Sequence, residues 1–177
     1  MADFYPYLVA SLPTLHFAIK PPFPTEKLLE KCQELIPEKD FVLLLELPDT
    51  NNAITEETNQ PTIKNWLSFD SALRNELVKI RASRLHTDAQ RYLRADGYVN
   101  PNITHIALTA YLNPSILEAE RFLDHERWKA LDELSIGHYF DLDFLIVYAY
   151  KLRILERWEK IAIADKQTLL EEAISYN

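Results

Sequence analysis

Apolar residues recur every three or four positions along most of this chain, and no stretch alternates strictly with polar residues over the length of a strand. Residues 4–24 hold five of the ten prolines, which predicts an irregular or briefly helical lead-in. Thr25 reads as the N-cap of a helix, TEKLLEKCQELI, with Leu28, Leu29, Cys32, Leu35 and Ile36 on one face. Asp40 reads as the cap of a short helix, FVLLLEL, that stops at Pro48. Residues 49–62 are the most polar stretch and predict a solvated loop or linker.

From about Ile63 the helical period strengthens, with Leu73, Leu77 and Ile80 on one face. Thr87-Asp-Ala-Gln90 has the form of a capping box, so the helix is expected to break near His86 and to restart as far as Asp96-Gly97. A short helical piece, NITHIALTAYL, follows Pro101. Pro114 opens the next helix, whose stripe is Ile116, Ala119, Leu123, Ala130, Leu131 and Leu134, with Gly137 at the C′ position. Asp141 reads as the N-cap of a helix to about residue 163, and a separate last helix, DKQTLLEEAI, follows. Phe144 to Tyr150 are uncharged on every face, which predicts burial all round. The pattern as a whole predicts an all-α fold, an irregular helical bundle of about six or seven helices. Residues 1–62 are expected to form an N-terminal helical segment and polar loop, and 63–177 the main bundle, with one compact domain overall as the alternative.

Composition then removes whole classes of chemistry. Only two glycines are present, Gly97 and Gly137, far apart in sequence. Phosphate-cradling loops and nucleophile elbows need glycine where the backbone turns sharply or approaches a ligand. A GxGxxG fingerprint, a Walker-type loop and a GxSxG elbow are therefore excluded. The single cysteine, Cys32, has no disulfide partner within the chain and no CxxC neighbour for zinc, and its place on an apolar face predicts a buried, unreactive thiol. This usage fits a reducing cytoplasm. No segment has the length and apolarity of a membrane span, and Phe4 to Ile19, the nearest, is broken by Pro6 and Pro13 without a basic leader.

The formal charge of −8 is unevenly spread. Residues 64–94 carry seven basic and three acidic side chains, a local +4 that leaves −12 elsewhere. That layout suits self-packing or a charged protein partner better than nucleic acid. On a continuous helix Arg84 and Arg91 would share the stripe of Leu73 and Leu77, and on the helix after Pro114 Glu120 and Arg127 fall within the apolar stripe. Charges there are costly unless paired. Asp124 reaches Arg127 at i,i+3 spacing, and Arg84 or Arg91 with Glu120 is a candidate pair between helices. The alternative reading of these charges is a partner interface carried by Arg81, Arg84, Arg91 and Arg94, with Trp128, well off the stripe, as an exposed anchor.

Catalytic and metal-binding signals are weak. The five histidines are scattered, none at HExxH spacing. Asp124-His125-Glu126 diverge around a helix, and His138-x-x-Asp141-x-Asp143 spans a helix start where the acids serve as cap and dipole partner. No catalytic, cofactor-binding or metal-ligating residue is assigned, and no cofactor is expected. A helical enzyme would need Glu120, Asp124, His125 or His138 to converge in a pocket.

Three landmarks resemble a known family. Tyr5-x-Tyr7-Leu-Val-Ala10, Leu73-Arg-Asn-Glu-Leu77 before the Arg-rich helix, and Phe140-Asp141-x-Asp-x-Leu145-x-x-Tyr148 with Lys151-Leu-Arg153 look like a bacterial family of undefined function typically encoded with V/A-type rotary ATPases. The same landmarks resemble the C-type subunit of those ATPases (the d-type subunit in eukaryotes), with Glu76 standing where that family has Asp. A short internal echo accompanies them: Phe69-Asp70 with Lys79-Ile-Arg81, and Phe140-Asp141 with Lys151-Leu-Arg153. The resemblance implies a helical fold like that of the C-type subunit and a non-catalytic role coupling the central axle to the membrane rotor ring. It also implies partners among the central-stalk and rotor-ring subunits, with no nucleic acid and no direct membrane insertion. The implied location is cytoplasmic, peripheral to the inner membrane through the ATPase. An assembly factor or regulator of the same complex is the alternative role.

Overall fold

The computed structural model describes residues 4–48, 59–94 and 101–175. Among them the chain is all-α: α1 (Pro6–Ala10), α2 (Thr25–Leu35), α3 (Glu38–Leu45), α4 (Pro61–Leu85), a 3-10 turn (Ala89–Tyr92), α5 (Pro101–Leu112), α6 (Ile116–Leu134) and α7 (Leu142–Ser175). Of the polar stretch 49–62, residues 49–58 lie outside the described residues, as does the break expected at Gly97, while Pro61 and buried Thr62 already belong to α4.

The chain divides into two compact units, and the division does not follow the expected boundary at residue 62. Unit 1 joins residues 1–45 to 138–177, and unit 2 is residues 46–137. Burial explains why the ends of the chain fold together. Leu145 to Tyr150 are all buried, as their unbroken apolar run requires, and α2 and α3 pack on α7. Leu28, Cys32 and Leu44 are the fully buried contributions of α2 and α3. Polar contacts fix the register. Tyr148 Oη donates to the Pro13 carbonyl at 2.8 Å, Phe23 stacks on the Tyr148 ring, and the Tyr5 amide donates to the Phe140 carbonyl. Burial pushes the Tyr148 phenol up to about 12 and the Cys32 thiol up to about 11, so both stay protonated at neutral pH.

Two expected caps have other duties. Thr25 is the first residue of α2, not its cap; its amide and hydroxyl both donate to the Glu156 carboxylate on α7, at 2.5 and 3.0 Å. A carboxylate from a distant helix satisfies the start of α2, so no local cap is needed. Asp40 lies inside α3, buried, and accepts a hydrogen bond from Tyr5 Oη. Leu35 is 44% exposed and stands outside the buried face expected for it.

In unit 2, α4 ends where expected, with His86 in the left-handed region (φ 52°). The capping box does not form: Asp88, rather than Thr87, caps the next element, which is a 3-10 turn. The α6 N-cap is Ser115, whose hydroxyl accepts from the Glu118 amide. Its C-cap is Ser135, so Ile136 holds the C′ site expected for Gly137 (φ 87°), which stands one residue farther on. Asp141 does cap α7, accepting from the Phe144 amide at 3.1 Å. No proline or glycine lies between 142 and 175, and α7 continues through the expected break at Asp165 as one 34-residue helix.

Candidate functional site

The organising polar feature of unit 2 is a buried ion cluster between α4 and α6. Arg127 donates through Nε to Asp70 at 2.7 Å and through Nη1 to Asp124 at 2.8 Å. The carboxylate side chains are only 6% and 2% exposed and the guanidinium 17%. Burial pushes the Arg127 guanidinium down, but the charges and hydrogen bonds of Asp70 and Asp124 outweigh it and hold the group above its usual range. The cluster keys the register of the two helices, because a slip of one turn would strand a buried charge. It takes the place of the pair expected between Arg84 or Arg91 and Glu120.

The remaining candidates fall into separate places. Arg84 is exposed at the end of α4, where it donates to Tyr111 Oη at 2.8 Å and lies 5.9 Å from that ring's centroid. Arg81 is exposed on the same helix, and Arg91 is exposed on the 3-10 turn, off the stripe of Leu73 and Leu77, because α4 has already ended. Glu120 is half-buried on α6. Trp128 is 7% exposed, so it is a core residue and not an exposed anchor. The buried face of α6 centres on Leu123, Asp124, Trp128 and Leu131, while Ile116, an expected member of the stripe, is 83% exposed.

Arg94 reveals a residue that the charge pattern does not flag. Asn75, buried in α4, accepts from the Arg94 amide at 2.9 Å and donates to the Arg94 carbonyl at 2.8 Å. Arg74 donates to the Tyr92 carbonyl at 3.0 Å. The segment after α4 is thus strapped back along it through the backbone of Tyr92 and Arg94. An Asn at the centre of Leu73-Arg-Asn-Glu-Leu77 is the available signal, since a buried amide must find partners for both its donor and acceptor. Asn75→Ala is expected to cost about 1–3 kcal/mol, because it orphans two backbone groups. Hydrogen exchange should show faster amide exchange at residues 88–94 with little change in α6.

Unit 1 carries its own polar cluster. His138 Nδ1 lies 2.6 Å from Asp141 Oδ2 and 3.7 Å from Asp143 Oδ2, at the start of α7. Asp141 uses its other oxygen for the cap. The hydrogen bond to Asp141 raises the His138 pKa, burial opposes the shift, and the charges of Asp141 and Asp143 add to it. A folded-state pKa above the unfolded value of about 6.5 means that protonated His138 stabilises the fold fully below that value. The contribution is lost as pH rises through the folded pKa. NMR titration should place His138 above 6.5, and His138→Ala should remove the corresponding slope in stability against pH.

Of the four residues considered for an enzyme site, Asp124 is committed to Arg127, Glu120 is half-buried on α6, His125 is 46% exposed, and His138 belongs to unit 1. The structure also separates the segments of the internal echo by role. Asp70 lies well inside α4 and binds Arg127, whereas Asp141 is a cap.

Compared with models of protein families, with curated proteins and with solved structures, the chain matches none. Among the described residues no helix is long and apolar enough to cross a membrane.

Proposed function

We propose that this chain is a non-catalytic subunit of a bacterial V/A-type rotary ATPase, analogous to the C-type subunit, coupling the central axle to the membrane rotor ring. The observation that carries the reading is what the residues of the three sequence landmarks do. Tyr5 bonds Asp40, Asn75 clamps the chain at Arg94, and Asp141 caps the longest helix. The first two fasten segments distant in sequence, and the third fixes where α7 begins. A sequence signature made of fasteners describes a scaffold, and a part that transmits torque must resist deformation. The buried Asp70–Arg127–Asp124 cluster adds to that stiffness, and the shortage of glycine removes local hinges.

The test is purification of the ATPase through a tagged axle subunit from cells that make this chain. A stable subunit is present in the finished enzyme at fixed stoichiometry and survives a salt wash. Presence only in incomplete subcomplexes assigns the chain to assembly instead. Absence from both overturns the reading.

A further inference from the structure

We propose that the end of unit 2 where α4 finishes and α5 turns into α6 is a docking surface for an amphipathic helix of a partner protein, one with acidic residues flanking its apolar face. The Arg84–Tyr111 contact brings the last turns of α4 and α5 together, and a tight turn, with the Ser115 amide bonded to Asn113 Oδ1, leads directly into α6. Around this point stand Leu85, Leu112, Ile116 and Leu117, exposed by 70%, 68%, 83% and 48%. Leu108, one turn back along α5, is 44% exposed and extends the patch down that helix. Scattered exposed leucines need no explanation, but five large apolar side chains exposed at the ends of three helices that pack on one another suit an interaction surface.

Charge selects the occupant. Arg81 and Arg84 border the leucines on α4, and both are exposed; the 3-10 turn, which folds back along α4, carries exposed Arg91 together with exposed Asp88. Among the described residues neither Arg81 nor Arg91 forms an ion pair, and Arg84 is held by a neutral phenol. Glu118, in the first turn of α6, is the acid beside Leu117, and it limits but does not cancel the basic character. Two copies meeting end to end would oppose arginine to arginine. Arg81 and Arg84 fall short of the roughly four to eight basic residues of an anionic-lipid site. An acidic-flanked helix satisfies both features: its apolar positions cover the leucines at three- and four-residue steps, and its carboxylates meet the arginines. Five apolar side chains are well short of the roughly 20–30 residues a side of a standard interface, so the surface forms a weak contact or one part of a larger one. The surface is read from unit 2 alone and stands independently of the ATPase reading.

The test places a photo-crosslinking amino acid at position 112 of the full chain, in the cells that make it, and maps the crosslinked segment by mass spectrometry. The expected result is a protein segment with apolar residues at helical spacing flanked by Asp or Glu. A synthetic peptide of that segment should then bind the purified chain, more weakly at high salt, and at least tenfold more weakly to Leu112→Asp and to Arg81→Glu. Ile163→Asp, on the exposed part of α7, should bind as the unaltered chain does. A crosslink to lipid, to a second copy or to a segment without acidic flanks overturns the proposal. So does the absence of any crosslink, or unchanged binding by Arg81→Glu.

Discussion

Replacing Arg127 with Met should destabilise unit 2 by about 3–5 kcal/mol, the usual consequence of removing one partner from a buried ion cluster. The side chain lost is of similar length, so packing is largely kept. What remains is Asp70 and Asp124, both nearly inaccessible to water, with their shared cation gone. Chemical denaturation is the direct measurement. Adding Asp70→Asn and Asp124→Asn to Arg127→Met should recover much of the loss, since neutral amides no longer carry uncompensated charge. A triple variant no more stable than the single one would mean that the Arg127 contacts themselves, and not the stranded carboxylates, dominate.

The second large effect belongs to α7. Leu145 is fully buried in unit 1, and Leu145→Ala should cost about 2–5 kcal/mol through lost burial and the cavity left behind. Ile163, 48% exposed and farther along the same helix, should tolerate alanine to within about 0.5 kcal/mol. The contrast expresses how the helix is built. Its first turns are the spine of unit 1, whereas near residues 158–163 it borders an open cleft of about 340 Å³ with a Lys20–Glu159 ion pair at 3.0 Å. Equal losses at both positions would show that the distal part of α7 is packed as firmly as the start.

Much of the fold is legible in the sequence because helices announce themselves through a period that survives any tertiary arrangement. The break at His86, the Asp141 cap and the burial of Leu145 to Tyr150, all but the first residue of the apolar run, follow from local chemistry alone. The features that are not legible depend on partners distant in sequence. Thr25 is satisfied by Glu156 and Asp40 by Tyr5, so their side chains make contacts other than local caps. A stripe drawn through Ile116 and Leu134 leaves Trp128 outside. The packed face is turned toward Leu123 and Trp128, and the positions of α4 and α5 determine that.

The charged residues divide in the same way. Arg127 is visible as a charge in an apolar stripe, and Asp124 as its i,i+3 neighbour, but Asp70 is 57 positions away and has no periodic signature. Asn75 stands at the centre of Leu73-Arg-Asn-Glu-Leu77, yet its clamp on Arg94 needs the chain to double back after α4, which no propensity encodes. Arg81, Arg84 and Arg91 are all exposed, and the proposed docking surface joins Arg81 and Arg84 to the exposed Leu85, Leu112 and Ile116.

In the proposed role this chain mechanically joins the soluble and membrane parts of a rotary ATPase without catalysing a reaction. The most direct test compares ATP hydrolysis with ATP-driven ion transport in membranes from cells with and without the gene for this chain. Deletion is expected to abolish ion transport while the catalytic head, where it can still be recovered, continues to hydrolyse ATP, and restoring the chain should restore coupling. A deletion strain whose membranes assemble the ATPase and couple hydrolysis to transport as well as the parent would contradict that role.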